Sequence, residues 1–352
     1  MNDNPTAPLF FLVPEAIDDP ARVSGGNVYD QHLGDHLAAG GREVRMIPIS
    51  DGTPGQTSEV LSHLPDGALV LLDGLIVARD PGALFEHPTR LRLLVLAHMA
   101  DFEEGSLRTA ERVIATSLWT RAELIERDIA EPHRIVVAQP GTDRAPAAAV
   151  SATGGRLLCV GVVAPHKGQD LLVRALEVLA AVDGWTCTFV GSLADAPDFV
   201  AELRGAIASA GLTDRISFTG VLTGRALAAA HGHADLIVVP SRAESFGMVV
   251  TEALARGIPV LATGTGGLPE AIGDSAAGII VPPDDPWALS VVLRQWWSSP
   301  ARREALRADA LRTRRGLRSW STTAAVVATV LDELVLPGSV PPMPTPFGVR
   351  DA

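Results

Sequence analysis

Residues 234–254 read Ala-Asp-Leu-Ile-Val-Val-Pro-Ser-Arg-Ala-Glu-Ser-Phe-Gly-Met-Val-Val-Thr-Glu-Ala-Leu. The opening run is continuously rather than alternately apolar after Asp235, which is typical of a strand covered on both faces in a parallel sheet. Pro240 ends this strand, and an apolar helix begins at Gly247 after a polar turn. A strand, a turn and a helix in this order form the repeating unit of an α/β fold.

The same pattern repeats along the chain. Segments with helical spacing of apolar residues, such as residues 28–39, fill the gaps between the apolar runs. We therefore predict an α/β protein with doubly wound parallel sheets. The other predicted strands cover residues 9–13, 43–49, 68–72, 91–97, 112–116, 135–138, 156–161, 185–191, 215–219, 258–262 and 277–281.

The series of strands is interrupted once. Residues 139–155 are rich in proline, glycine and alanine and have little apolar periodicity, which indicates a linker. We predict two tandem domains, residues 1–145 and 155–318, with a ligand site in the cleft between them. One more apolar helix is predicted over residues 321–336, and the proline-rich tail 337–352 should be extended or mobile.

Composition excludes several classes of protein. The 352 residues carry 29 Lys and Arg against 41 Asp and Glu, and the net charge of −12 argues against nucleic-acid binding. The two cysteines, Cys159 and Cys187, are too few for a disulfide framework or a structural zinc site. No apolar run reaches the ~18–20 residues of a membrane helix, and the N-terminus does not resemble a signal peptide. We therefore expect a cytoplasmic protein.

Several common catalytic motifs are absent. The chain has no GxGxxG dinucleotide fingerprint, no P-loop, no GxSxG nucleophile elbow and no HExxH zinc motif. No two aspartates are separated by a single residue, so an Asp-X-Asp clamp for a metal-bound diphosphate is missing as well. We expect no cofactor and no required divalent metal.

Two glycine-containing turns follow predicted strands. Gly25 and Gly26 lie between the first strand and the first helix, where backbone N–H groups can approach an anion closely. Lys167, in the segment Pro165-His-Lys-Gly168, is placed to neutralise a phosphate. Taken alone, these two features are better explained as an ordinary glycine turn and a solvated surface lysine.

The turn quoted at the outset carries a more specific signal. Glu244 lies in the turn, whereas Glu252 lies within an apolar helix, where a carboxylate needs hydrogen-bond partners such as ligand hydroxyls. The backbone N–H groups of Ser245, Phe246 and Gly247 at the start of the helix are suited to a phosphate.

Two further segments have open interpretations. Residues 264–270 form a glycine turn before a helix, either structural or ligand-binding. The arginines between 302 and 318 form a basic stretch that could touch an anionic membrane surface. Glu304 and Asp309 interrupt this stretch, so we favour a solvated helical face.

These residues together resemble family 4 of the retaining glycosyltransferases. The resemblance rests on Glu244-Ser-Phe-Gly, on a second glutamate eight positions later (the E-x7-E pattern), and on Gly266-Gly-Leu-Pro-Glu270. It covers most of the chain and implies the GT-B architecture, two Rossmann-like domains facing a cleft. The resemblance also implies that residues 1–145, joined by helix 321–336, bind the acceptor and that residues 155–318 bind the donor.

The resemblance also implies roles for single residues. Glu252 would bind the ribose of a nucleoside diphosphate sugar, and Glu244 would bind sugar hydroxyls and orient the anomeric carbon. Lys167 would stabilise the diphosphate leaving group, together with the loop of Gly25 and Gly26.

The remaining implied roles concern backbone groups and one histidine. The amides at Ser245, Phe246 and Gly247 would bind the diphosphate, and backbone near Val221 would contact the base. His98, at the end of the fourth strand, would lie near sugar and acceptor; it is otherwise an ordinary histidine at a strand end.

One position departs from the family pattern. Val162 follows Gly161 where the family usually has an arginine that pairs with the lysine on the diphosphate. Losing one such donor costs ~10²–10³ in rate if nothing replaces it. Arg242 and Arg225 are candidates for a replacement.

The sequence thus predicts a metal-independent, retaining hexosyltransferase. Its partners would be a nucleoside diphosphate sugar, with UDP as the expected nucleotide, and a small-molecule or glycan acceptor that the sequence does not identify. Two alternatives remain open: another GT-B sugar-nucleotide enzyme such as an epimerase, and a sugar-nucleotide-binding protein without catalysis, which the Val162 departure motivates.

Overall fold

The computed structural model describes residues 7–87 and 89–335, and within them every predicted strand is present. This confirms the α/β class. The strands are β1 (Leu9–Pro14), β2 (Val44–Ile49), β3 (Leu69–Asp73), β4 (Arg92–Ala97), β5 (Arg112–Ala115), β6 (Ile135–Val137), β7 (Arg156–Val160), β8 (Thr186–Val190), β9 (Ile216–Phe218), β10 (Leu236–Val239), β11 (Val260–Thr263) and β12 (Gly278–Val281).

The strands form two six-stranded sheets, with the orders β2-β1-β3-β4-β5-β6 and β12-β11-β10-β7-β8-β9. Every neighbouring pair is parallel. The strand order reverses between β1 and β3 in the first sheet and between β7 and β10 in the second. Ligands of open parallel sheets bind outside the carboxyl ends of the strands at such reversals. The topology therefore marks two sheet edges as candidate sites.

Helices connect the strands. They are α1 (Gly25–Ala39), α2 (Gln56–His63), α3 (Gly74–Arg79), α4 (Ala83–Glu86), α5 (Leu118–Glu126), α6 (Gln169–Val178), α7 (Pro197–Ser209), α8 (Gly224–His233), α9 (Met248–Ala255), α10 (Leu268–Ile272), α11 (Pro286–Ser298), α12 (Pro300–Thr313) and α13 (Trp320–Val335). Gly25 and Gly26, expected in a loop, form the first turn of α1, which Ser24 caps by accepting a hydrogen bond from Asn27 N. None of the described helices combines the length and the apolar character that crossing a bilayer requires.

Both faces of the central strands of each sheet are covered, which explains the continuous apolar runs. In β1, Phe10 and Leu12 belong to one buried cluster, whereas Leu9, Phe11 and Val13 belong to the cluster on the opposite face. Side chains alternate between the two faces of a strand, so a run that is apolar at every position must be buried on both.

Helix α13 returns to the first sheet. Trp320 is 3% exposed and contacts α1, with its ring edge-on to Tyr29 and stacked on His32 at 4.5 Å between centroids. The Tyr29 hydroxyl donates to the carbonyl of Ala138 at 2.7 Å, and Thr323 donates to the carbonyl of Gln139. The last described helix is thereby fixed to the end of β6. The predicted tail 337–352 lies outside the described residues.

The basic stretch has a structural use that the sequence did not predict. Arg303, Arg307 and Arg314 donate hydrogen bonds to the carbonyls of Ala152, Ala148 and Ala145 respectively. A wholly solvated face is therefore wrong for these three side chains, because they attach α12 to the segment between the two sheets.

We expect Trp320→Ala to destabilise the protein by ~3–5 kcal/mol, since it removes a buried aromatic ring from the contact between α1 and α13. Denaturant unfolding would measure the change, with the exposed neighbour Ser321→Ala as the control. A loss below ~1 kcal/mol would contradict the importance of this contact.

Candidate active site

The strand-order reversal of the second sheet brings two turns together. Residues 161–168 follow β7, and residues 240–247 follow the neighbouring strand β10. The N–H of Arg242 donates to the carbonyl of His166 at 2.8 Å. Gly168 has a φ of +68°, and a Cβ atom there would collide with the carbonyl of Pro240. A glycine is therefore required for the turns to lie this close together.

Lys167 and Glu244 meet where the two turns touch. Lys167 Nζ donates to Glu244 Oε2 at 2.6 Å, and the two side chains are only 22% and 14% exposed. The Ser241 hydroxyl lies 3.5 Å from the same oxygen. A charge-assisted hydrogen bond of this length between mostly buried groups fixes both side chains.

The glycine turn that precedes α10 holds the backbone of Glu244. The N–H of Gly267 donates to the carbonyl of Glu244 at 2.9 Å. Gly266 has a φ of +57°, and a Cβ atom there would collide with that same carbonyl. Residues 264–270, which allowed two interpretations in the sequence, therefore position the backbone of Glu244.

Three backbone donors precede α9. Within the described part of the chain, the N–H groups of Ser245, Phe246 and Gly247 donate no hydrogen bond. Free N–H groups at the start of a helix, together with its dipole, favour an anion. The structure thus places these three groups at the start of α9, in the turn that carries Glu244.

Glu252 lies on α9 and is partly buried. Burial raises the pKa of Glu252 to about 7; Arg256 opposes this rise and Asp143 adds to it. No hydrogen bond or ion pair among the described residues joins Glu252 to Lys167 or Glu244.

Val221 lies in the loop before α8. It follows Gly220, whose carbonyl accepts a hydrogen bond from the N–H of Gly191 at 2.9 Å. Hydrogen bonds thus connect its loop to the end of β8.

The first sheet contributes a cluster that the sequence revealed only in part. His98 follows β4, and its Nε2 lies 2.8 Å from Asp30 Oδ1 and 3.4 Å from Asp73 Oδ2. Asp30 lies on α1 and Asp73 ends β3, and the side chains of both are completely buried. The sequence predicted His98 but neither aspartate, because nothing in the local pattern shows that these two acids are buried.

This cluster fixes the charge of His98. Burial by itself would lower the pKa of His98, but the carboxylates of Asp30 and Asp73 outweigh it and raise that pKa to about 10. Burial also raises the pKa of Asp30 to about 8, which His98 opposes and Asp73 reinforces. Oδ2 of each aspartate is buried and makes no hydrogen bond among the described residues, although Asp73 Oδ2 lies within ion-pair distance of His98. The raised pKa of His98 favours the cationic form of the imidazole at neutral pH.

Among the described residues, Asp30, Asp73 and His98 form the group that could hold a metal ion. Their potential ligand atoms all lie within 4.8 Å of one another. Two carboxylates and one imidazole suit several divalent metals. The expectation that no metal is required stays a prediction.

The two halves of the chain meet at the predicted glycines. A Cβ atom on Gly26 would lie 3.3 Å from the His98 ring, and one on Gly25 would lie 3.8 Å from the sulfur of Met248 at the start of α9. The first turn of α1 therefore lies between His98 and Met248, the residue that follows the Glu244 turn. Of the predicted residues, the structure brings together two groups, His98 with Gly26 and Lys167 with Glu244.

A second contact between the halves was not predicted. The Glu270 carboxylate on α10 accepts hydrogen bonds from Leu118 N at 2.8 Å and Trp119 N at 3.2 Å, at the start of α5, and from the Gln139 side chain. The sequence showed Glu270 in its motif, but its partners are more than 130 positions away. This contact lies three residues from Gly267, which holds Glu244.

Arg242 and Arg225 are candidate substitutes for the arginine that the family usually has at position 162. Their surroundings differ. The Arg242 guanidinium binds the Asp170 carboxylate through two hydrogen bonds of 2.7 Å and Asp284 at 2.6 Å. It is therefore occupied in holding the turn of Lys167. Arg225, at the start of α8, is exposed and makes no ion pair with a described residue.

We predict that His98 stays protonated from pH 6 to pH 8.5 and that Asp30→Asn shifts its titration toward the ordinary value near 6.5, since one of its two carboxylates is lost. NMR titration of the imidazole signals, assigned with His98→Gln, would measure this. A His98 that titrates near pH 6.5 in the unsubstituted protein would contradict the charge assignment.

Comparison with solved structures agrees with this architecture. A sucrose-phosphate synthase from Thermosynechococcus elongatus superposes with a TM-score of 0.77 at 22% identity, covering 93% of this chain and 99% of that one. Anabaena Alr3699/HepE, solved in complex with UDP-glucose, superposes with a TM-score of 0.73 at 18% identity, covering 92% and 99%. At these identities the likeness shows the fold, which is GT-B.

Sequence comparison identifies the family. The profile described as "Glycosyl transferases group 1" matches residues 147–313. The chain is 33% identical over 259 residues to a D-inositol 3-phosphate glycosyltransferase of Salinispora tropica, covering 66% of this chain and 53% of the relative. The corresponding protein of Frankia alni is 30% identical over 304 residues, covering 81% and 69%. The chain spans 53–58% of the length of the first three such relatives. It belongs to the group 1 glycosyltransferases.

Proposed function

We propose that this protein transfers a hexose from a nucleoside diphosphate sugar to an acceptor, with retention of the anomeric configuration and without a metal ion. The observation that carries the proposal is the pair of Lys167 and Glu244 at the strand-order reversal of the second sheet. Beside this pair lie three N–H groups that donate no hydrogen bond among the described residues. Group 1 glycosyltransferase membership supports the same chemistry.

The leaving group is a diphosphate, which needs positive potential on its oxygens. Lys167 and the amides of Ser245, Phe246 and Gly247 supply it, together with the start of α1 at Gly25 and Gly26. Preorganised donors of this kind usually lower the activation free energy more than any other single effect in an active site. In this proposal the Lys167 ammonium exchanges part of its contact with Glu244 for the diphosphate, so the donor binds where a charge pair already exists.

The two glutamates bind neutral hydroxyls. Glu252 accepts hydrogen bonds from the ribose, and Glu244 accepts them from the transferred sugar and orients its anomeric carbon. Backbone near Val221 contacts the base. We propose uracil as that base; the UDP-glucose complex of HepE shows that a protein with this fold binds that nucleotide.

His98 acts on the other side of the cleft. As a cation it donates a hydrogen bond to a substrate oxygen, which means that it is not the general base. We propose that the first sheet binds the acceptor and the second binds the donor, and that closure of the cleft excludes water from the activated sugar. We assign no covalent nucleophile, so departure of the diphosphate and attack by the acceptor take place on the same face.

The acceptor is the least defined part. The curated relatives are named for D-inositol 3-phosphate, which makes this compound the first acceptor to test. An epimerase would instead change the sugar nucleotide without any acceptor, and a sugar-nucleotide-binding protein would release no nucleoside diphosphate with any pair of substrates. Product analysis by mass spectrometry and NMR separates these three outcomes.

We expect Lys167→Ala to lower kcat by ~10²–10³, because it removes the charged donor to the leaving group. Glu252→Ala should mainly raise the Kd of the nucleotide. Steady-state kinetics and calorimetry measure these effects, with the exposed cation Arg174→Ala as the control. Unchanged rate and affinity in both variants would remove this site assignment.

We expect transfer to continue in excess EDTA and the purified protein to contain no stoichiometric metal, because cationic and amide donors take the place of a metal at the diphosphate. Activity assays and elemental analysis check this. Loss of activity that Mn²⁺ or Mg²⁺ restores would contradict metal independence.

A further inference from the structure

His231 on α8 is a buried titratable residue that the proposed reaction does not use. Its side chain is 0% exposed. Its Nδ1 lies 3.1 Å from the carbonyl of Leu227, one turn earlier, whereas its Nε2 has no hydrogen-bond partner among the described residues. Buried polar atoms are nearly always paired, because an unpaired one loses its hydration without compensation. The unpaired Nε2 therefore calls for a partner.

Among the described residues, a carboxylate lies near this atom. Glu252 Oε2, on the neighbouring helix α9, lies 3.8 Å from His231 Nε2. The other charged groups around the pair are Arg256, whose guanidinium donates to the carbonyl of Glu252, and Asp143 of the segment between the sheets. From α12, Arg307 donates to the carbonyl of Arg256.

The hydrogen bond of Nδ1 determines which kind of hydrogen-bond partner Nε2 needs. A carbonyl accepts only, so Nδ1 carries a hydrogen and Nε2 of the neutral ring presents a lone pair. Burial and then Arg256 lower the pKa of His231 to about 4, so the ring is neutral at physiological pH. A lone pair needs a donor, and an ionised Glu252 offers none. A protonated Glu252 offers its O–H, and its pKa of about 7 makes that form available.

We propose that His231 is a positioning residue for the donor site: in the empty protein it accepts a hydrogen bond from protonated Glu252, and binding of a nucleoside diphosphate sugar releases that proton to solvent. The ionised Glu252 then accepts hydrogen bonds from the ribose hydroxyls. This inference rests on the proposed function of Glu252. The O–H···Nε2 bond requires the two side chains to approach by ~1 Å from their separation of 3.8 Å, since such bonds are near 2.8 Å.

The consequence is a pH-dependent affinity for the donor. When a group must lose a proton for the ligand to bind, the affinity falls about tenfold for each pH unit below the pKa of that group in the empty protein. With the pKa of Glu252 near 7, the affinity for the donor should fall about tenfold from pH 8 to pH 6.

Calorimetry with intact UDP-glucose tests this, because its diphosphate lacks the terminal phosphate group that titrates near pH 6. Titrations at pH 6.5 in buffers of different ionisation enthalpy should show release of about three-quarters of a proton. Glu252→Gln, whose amide N–H donates permanently to Nε2, should release none. His231→Gln should reduce both the release and the tenfold pH effect, because its amide N–H donates to the carboxylate and favours the charged form.

His233 provides a matched control. It lies two residues further along α8, is exposed, and makes the same bond from Nδ1 to a carbonyl, that of Ala229 at 2.8 Å. His233→Gln should leave the proton release unchanged. A tenfold pH effect that persists in His231→Gln with the same midpoint would overturn the role of His231, and the lack of proton release in the unsubstituted protein would overturn the shared proton.

The ¹⁵N signal of His231 Nε2 in the empty protein gives a test that needs no variant and no ligand. Its chemical shift should change with a midpoint near pH 7, as Glu252 loses its proton, while the imidazole ring itself stays neutral. A signal unchanged from pH 6 to pH 8 would contradict the proposal. If no nucleoside diphosphate sugar binds at any pH but the midpoint is found, the proposed function fails while the pairing of His231 with Glu252 stands.

Discussion

The parallel pairing of β7 with β10 is the constraint on which the candidate site depends. It places the turns after these two strands side by side, although they are more than 70 positions apart in the chain. Gly168 permits the contact of the two backbones, Arg242 ties one turn to the other through Asp170, and Lys167 meets Glu244 where they touch. The charge pair is thus a result of strand order.

Much of the fold could be predicted, because the covering of both sheet faces makes central strands such as β1 and β10 apolar at each position. The run at Leu9–Pro14 and the run at Leu236–Val239 show this directly. The site residues that precede or begin helices, namely Lys167, Glu244 and Ser245, were predictable for a related reason. A turn at the carboxyl end of a parallel strand leaves polar groups where a ligand can reach them.

The rest could not be predicted, because it depends on contacts between distant segments. Asp30 is an ordinary acidic residue in a helical pattern, and only the folded chain buries it beside His98, 68 positions away. Glu270 was visible in its motif, but its partners at the start of α5 belong to the other sheet. His231 occurs in an alanine-rich helix whose pattern gives no sign of Glu252. In each case the sequence supplies the chemical group and the tertiary structure supplies its partner.

The central claim is that the turns after β7 and β10, together with the start of α1, form one donor site. Hydrogen exchange, measured by mass spectrometry with and without UDP-glucose in the presence of EDTA, tests it most directly. The account predicts slower exchange at the amides of Ser245, Phe246 and Gly247, in residues 161–168 and at the start of α1. Protection confined to another part of the chain, or no protection at saturating concentrations of several nucleoside diphosphate sugars, would contradict it.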